Sequence, residues 1–262
     1  KRAPRDRARE GPRRVIGARG DQAGGGQPIR PSDRMLLGFA IAGACGVLGV
    51  FLWPMLLGRI YVLDDLGAYT VIARAFFRQS LEQGDPFLWW PHLDGGVYLH
   101  GLGQLGLFHP LRYLSYWLIP LPWSFSLELF LSYPLMIAGI FWLLRRWGLS
   151  RPSAFAGGTF AAFSGFCLLH HVHTNAMAVV AHIPWLVGMI DVLLRDGSPR
   201  RRAWAAVGIT ALTASQLLLH FPQVFVMSIQ LEVAYWLVVG ISTGTLRRSL
   251  LPLLAAKLLA IS

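Results

Sequence analysis

"AMAVVAHIPWLVGMIDVLL", residues Ala176 to Leu194, is followed at once by "RDGSPRRR", residues Arg195 to Arg202. A bilayer core about 30 Å thick needs about 20 apolar residues in a helix, because backbone amides in lipid must be satisfied within the segment. The first stretch therefore reads as a membrane span and the arginines after it as its cytoplasmic end, where Lys and Arg are retained. The same alternation predicts spans at Met35–Gly58, Ser124–Leu144, Ser153–Leu169, Ala203–Phe221 and Val224–Ile241, with a seventh starting near Leu250. The fold class predicted is an all-α polytopic membrane protein with six to seven transmembrane helices.

Composition agrees. Hydrophobic residues make up 54% of the 262 and charged residues only 14%, too apolar for a soluble domain of this size. A net charge of +11 suggests nucleic acid until the charges are located. Ten of the 24 Lys and Arg lie in residues 1–34, a Pro-, Gly- and Arg-rich segment too poor in apolar side chains to fold, and nine more sit at Arg145, Arg146, Arg151, Arg195, Arg200–Arg202, Arg247 and Arg248. These are the turns between spans, which excludes a nucleic-acid groove and places the amino terminus inside.

Residues 1–34 thus read as a basic disordered cytoplasmic tail and 35–262 as a transmembrane domain. The chain opens on Lys1 and stops inside the apolar run "LLPLLAAKLLAIS", so a longer parent protein, truncated here at its carboxy terminus, is expected. Cys45 and Cys167 fall within spans and are expected to be unpaired thiols. "IAGAC" is a poor lipoprotein signal, because the apolar run continues past Cys45.

This topology leaves 59–123 as one long extracytoplasmic loop. Leu66, Tyr69, Ala73, Phe76, Phe77 and Leu81 recur at helical spacing, with Arg74, Arg78 and Glu82 on the other side, which predicts an amphipathic helix lying on the membrane surface. "DPFLWWPHLDGG" supplies headgroup-seeking tryptophans and a Gly95–Gly96 turn. "GLGQLGLFHPLRYLSYWLIPLPW", broken by prolines, predicts a pair of short interfacial or re-entrant helices.

All eight histidines, His92, His100, His109, His170, His171, His173, His182 and His220, fall on the outer side of this topology, as do Asp64, Asp65, Asp85, Asp94 and Glu128. Ionisable groups are costly near lipid, so their concentration predicts a polar site there. Helix capping accounts for one of Asp64 and Asp65; a second carboxylate suits a general base or a ligand for a hard divalent metal, and residue type does not choose between these roles. "HHVHTN", His170–Asn175, lacks a helical face and partners for zinc and suits hydrogen bonding to a polar substrate or phosphate. Among the outer cations, Arg74 and Arg78 are expected to touch headgroups, and Arg59, five residues before Asp64, is the better phosphate candidate. Gln216, Gln230 and Glu232 read as interhelical hydrogen-bond partners.

The order of these elements resembles a known family. Asp64–Asp65, "LWWPHLDGG", "GLFHP", "SGFCLLHHVHTN" and "HFPQ", spanning about Ile60 to Gln223, are similar to the first-loop Asp, Trp–Pro–Gly–Gly, "GLF-aromatic-P", "SGF…His/Asn" and Pro–Gln elements of YfhO-like bacterial proteins in the GT-C glycosyltransferase superfamily. The resemblance implies transfer of a sugar from a polyprenyl-phosphate donor to an acceptor in the cell envelope. Asp64 or Asp65 would be the base, with His173 and Asn175 lining the site. His109, His220 and Gln223 would join Arg59 in binding substrate, and Mg2+ or Mn2+ is an implied alternative for neutralising the leaving phosphate. Trp90 stands where Asn is expected, His109 where Tyr is usual, and His220 one place early. Two further readings remain open. One is a transporter or lipid flippase with an outer polar vestibule, which predicts charged residues continuing through the membrane; the other is a structural subunit that holds a partner.

Overall fold

The computed structural model describes residues 31–99, 101 and 104–262. The disorder predicted for residues 1–30 lies outside the described residues, as does His100, whereas residues 31–34, assigned to the same disordered tail, are already helical. The described chain is a helical bundle with one elaborate loop. Helix α1 (Pro31–Leu56) leads through a π-helical turn at Leu66–Thr70 into α2 (Val71–Gln83), a two-stranded ribbon of β1 (Trp89–Trp90) and β2 (Val97–Tyr98), and α3 (Pro110–Leu118). The bundle continues with α4 (Leu121–Phe130), α5 (Ser132–Arg146), α6 (Arg151–Ala162), α7 (Gly165–Leu169), α8 (Thr174–Arg195), α9 (Pro199–Leu218), α10 (Pro222–Thr243) and α11 (Leu246–Leu259).

Four stretches among the described residues are long and apolar enough to cross a membrane: Leu121–Arg146, Arg151–Val172, Thr174–Arg195 and Pro222–Thr243. Three predicted spans fall outside that set, among them the seventh, where α11 has only 14 residues. Helix α1 carries a shorter apolar stretch, and α9 opens on Arg200–Arg202, which makes it too polar overall. The large apolar side chains left exposed, among them Phe160, Val238 and Leu251, fit a surface solvated by lipid.

Local chemistry explains the boundaries. Ser150 and Ser198 accept amide hydrogen bonds at the starts of α6 and α9, each just ahead of a proline or an Arg-Pro pair that cannot disrupt a first turn. The predicted span Ser153–Leu169 is not one helix. Phe163 leaves the helical region, and Ser164 caps a new start at Gly165.

Helix α8 sits at the centre: 72% of its apolar stretch is buried, against 28–44% for the other three. Its glycine lets α5 approach, and the rings of Trp142 and Trp185 stack at 5.6 Å across this contact. A Cβ on Gly188 would lie 2.1 Å from the Trp142 ring, and one on Gly139 would lie 2.5 Å from the Trp185 indole nitrogen. Gly188→Ala is expected to cost about 1–3 kcal/mol by overpacking. Thermal unfolding in detergent checks this, and a midpoint equal to that of the parent would mean that the tryptophan shifts freely.

The loop holds its own small core, in which Ala73, Phe77, Trp90, Leu99, Leu105, Leu107 and Tyr116 are buried together. Gly95 and Gly96, at φ 80° and 118°, make the turn predicted for them, and the ring of Trp89 occupies the space where a Gly96 side chain would stand. The helical spacing holds, but Leu66, Ala73 and Phe77 are buried against other parts of the protein rather than turned toward lipid, and Arg78 pairs with Glu82 at 2.6 Å. The surface reading also fails for Arg74, which is fully buried rather than at the headgroups. Arg78 also donates to the carbonyls of Tyr116 and Ile119, tying α2 to the carboxy-terminal end of α3.

Candidate functional site

At the loop end of the bundle, a small cleft is lined by Asp65, Tyr69, Thr70, Gln104, Val172, His173, Thr174, Asn175 and Phe221. Four segments build it: the π-helical turn, the loop at Gln104, the entry to α8 and the α9–α10 corner. Asp64 starts the turn in the left-handed region at φ 52°, a conformation that Asp tolerates, and its carbonyl rather than its carboxylate accepts from the amides of Gly67 and Ala68. Gly67 is required there, because a Cβ would lie 2.2 Å from the Val62 carbonyl oxygen. Asp65 occupies the N-cap position yet makes no side-chain cap hydrogen bond, so capping does not explain its carboxylate.

That carboxylate faces His173 instead. Asp65 Oδ2 lies 3.6 Å from His173 Nε2, with the side chains 62% and 38% exposed. This is too long for a direct hydrogen bond and close enough for one to form around a bound hydroxyl. His173 Nδ1 is buried and has no partner among the described residues. Asn175 lines the cleft, but its amide nitrogen donates to the carbonyls of Gln104 and Leu219. It clamps the loop and the α9–α10 corner onto α8.

The enclosed part of the cleft is about 40 Å³, room for a few small groups but not for a hexose, so a sugar would have to lie across the mouth. Among the described residues no three His, Cys, Asp or Glu side chains gather to hold a metal ion. Asp65, the one carboxylate among the residues lining the cleft, would leave most of a cation's coordination to substrate and water, a manner of binding that suits Mg2+. Asp64, the other carboxylate proposed as a ligand, does not line the cleft.

The remaining sequence-derived candidates do not converge. Arg59 is exposed and does not line the cleft, Gln223 is exposed on the first turn of α10, and His220 sits at φ 53° in the corner before it. His109 is buried, and its Nε2 meets Ser215 Oγ at 2.9 Å, as does His182 Nε2. Burial, with the nearby charges of Arg112 and His182, pushes the His109 imidazole down to about 4. Its folded value thus lies below the ordinary 6.5, so its stabilising contribution is complete above pH 6.5 and is lost as pH falls toward 4. His109→Gln, which can still bond Ser215, is expected to flatten the acid limb of the stability profile between those values. An unchanged limb would show that another group titrates there.

Behind the cleft lies a charge cluster that periodicity did not reveal. Glu128 on α4, 2% exposed, accepts from Arg74 Nη2 at 2.7 Å and from Thr174 Oγ1 at 2.9 Å on one oxygen, and from the Tyr116 hydroxyl at 2.7 Å on the other. Arg112 Nη2 stands 3.1 Å from the first oxygen. Burial lowers Arg112 only to about 10, because Glu128 offsets part of the effect, so it remains a cation at neutral pH. Thr174 belongs to both the cluster and the cleft wall. Tyr69, Thr70, Gln104, Thr174 and Phe221 were not recognised as candidates; only the position of Thr174, beside Asn175 in "HTN", was a signal in the sequence.

No protein-family model matches this chain, and neither the curated proteins nor the solved structures contain a match. The site therefore rests on its own geometry.

A second buried network runs inside the bundle. Gln216 Nε2 donates to Ser228 Oγ at 3.1 Å, Ser228 Oγ to Glu232 Oε1 at 3.0 Å, and Lys257 Nζ lies 2.6 Å from Glu232 Oε2 and 2.8 Å from Thr213 Oγ1. Glu232 is ten residues into α10, about 15 Å from its start. The sequence reading of Gln216 and Glu232 as interhelical partners holds, and Lys257 is the partner it lacked. At the opposite, arginine end, Asp191 accepts from Arg146 Nη2 at 2.6 Å, from Tyr235 at 2.7 Å and from Arg195 Nε at 2.9 Å. This joins α5, α8 and α10.

Proposed function

We propose that this protein is a GT-C-type, YfhO-like membrane glycosyltransferase that moves a sugar from a polyprenyl-phosphate donor to an acceptor on the extracytoplasmic face. The observation that carries this reading is the facing pair of Asp65 and His173 at the mouth of a cleft on the loop end, away from the arginine-bearing turns. In this scheme Asp65 takes the acceptor hydroxyl's proton as that oxygen attacks the anomeric carbon. The bond to the phosphate oxygen breaks, and the configuration inverts. His173, with Thr70 in the cleft wall, supplies donors to the phosphate as it gathers charge. Mg2+ or Mn2+ held at Asp65 would supply further neutralisation. Of the two aspartates the base role falls to Asp65, since Asp64 does not line the cleft.

Reconstitution in proteoliposomes with polyprenyl-phosphate-linked sugars tests the reading. A new glycosidic bond on the face bearing residues 59–123 supports it. Side-specific labelling that placed residues 65 and 173 on the face of the arginine turns would remove it.

The second reading, a transporter or lipid flippase, draws on the Glu232–Lys257 pair within the bundle and on the helix break at Phe163–Ser164, since charged and interrupted helices mark many substrate paths. Movement of lipid-linked sugar across the bilayer with no bond formed would favour it.

A further inference from the structure

We propose that Arg74 holds a small inorganic anion of halide size, sealed beneath the cleft floor. The inference is independent of what the cleft does. Arg74 is fully buried, and only its Nη2 is engaged, on Glu128. Its Nε and Nη1 are buried with no partner among the described residues. Two unmet donors on a cation are among the costliest features a fold can keep, so an acceptor is called for there.

Charge says which acceptor. Arg74 and Arg112 bring two positive charges, and Glu128 brings one negative charge. Tyr116 stays a neutral phenol, its proton held by burial and by the carboxylate it bonds. Tyr69, the other titratable neighbour of Arg74, is likewise pushed toward its neutral form by burial. His109 is neutral above about pH 4. The cluster therefore carries one surplus positive charge, which a water molecule would leave in place and a monovalent anion would cancel.

Access narrows the choice. The guanidinium carbon stands 5.4 Å from the centre of the Tyr116 ring, and buried Ala73 and Phe77 share its helix. Thr174, which separates the cluster from the cleft, already donates to Glu128. A lipid-linked phosphate at the mouth would not reach Arg74 without displacing this wall. Chloride matches the charge, accepts from several N–H groups at once and tolerates an aromatic edge.

The test is thermal unfolding of the purified chain in detergent, in sodium chloride against sodium gluconate at equal ionic strength. Chloride and bromide are expected to raise the midpoint by roughly 3 °C or more, saturably. Arg74→Met, which leaves Glu128 paired one-to-one with Arg112, is expected to abolish the shift. Arg112→Met is expected to do the same by removing the surplus charge while keeping Arg74. The proposal is overturned by equal midpoints in the two salts, by a shift that survives Arg74→Met, or by a shift given by inorganic phosphate and not by chloride, which would assign the anion to the open cleft. Should both variants fail to fold, bromine anomalous scattering from crystals of the unaltered protein grown in sodium bromide decides. A peak beside Arg74 Nε and Nη1 is expected, and its absence overturns the site.

Discussion

Asp65→Asn is expected to slow sugar transfer by about 10²- to 10⁴-fold, the range that a positioned base contributes, with little change in the melting temperature. The stability expectation follows from the geometry: the carboxylate is 62% exposed and makes no cap hydrogen bond, so the amide removes charge without opening a hole. Asp64→Asn is the internal control. Its structural work is done by its backbone, in a conformation that Asn adopts as readily as Asp, and its side chain does not line the cleft. Comparable losses in the two variants would point to a shared metal ion rather than a single base. Parental rates in both would remove Asp65 from the chemistry.

Glu128→Gln is expected to lower stability by about 3–5 kcal/mol, since it leaves two buried guanidiniums without their counter-charge. For a bundle of this size that is on the order of 10 °C in the unfolding midpoint. The contrast is Arg78→Ala. It breaks a pair whose partners are 21% and 52% exposed, and the loss of that pair alone is expected to cost under about 1 kcal/mol, beside what its carbonyl contacts contribute. Because Glu128 also holds Thr174, the Glu128→Gln variant is expected to slacken the cleft wall and reduce transfer as well. If that variant melted at the same temperature as the parent, the cluster would have to be neutralised by something other than this carboxylate.

The bundle was readable because its signals are local. Runs of apolar residues closed by arginines placed α8 and α10 within a few residues of their observed ends, and the Pro and Ser residues near Arg151 and Pro199 mark helix starts by chemistry visible at one position. The count of spans is not set by apolar runs alone, because α9 carries three arginines in its first turn and average hydropathy is a property of the whole stretch. The site was legible only in part. His173 and Asp65 were singled out for residue type and come together, and Asn175 joins them as a clamp rather than a free ligand. Arg74 was assigned to the wrong face, since spacing groups it with Arg78 and Glu82, and its true partner lies 54 residues away. No periodicity reports a pairing at that separation. His109 and His220 are marked by residue type and resemblance and Gln223 by resemblance, and the fold disperses them.

The knot around Asp191 has a mechanical corollary. It fastens three helices at the end opposite the cleft, seventeen residues of α8 below Thr174, or about 26 Å along the helix axis. Helices gathered at one end behave as the blades of a fan held by its rivet, and a tilt of about 5° there carries the far tips about 2 Å apart over that lever arm. A fan-like opening of the cleft mouth would thus be cheapest with the arginine turns held still and Asp191 as its pivot.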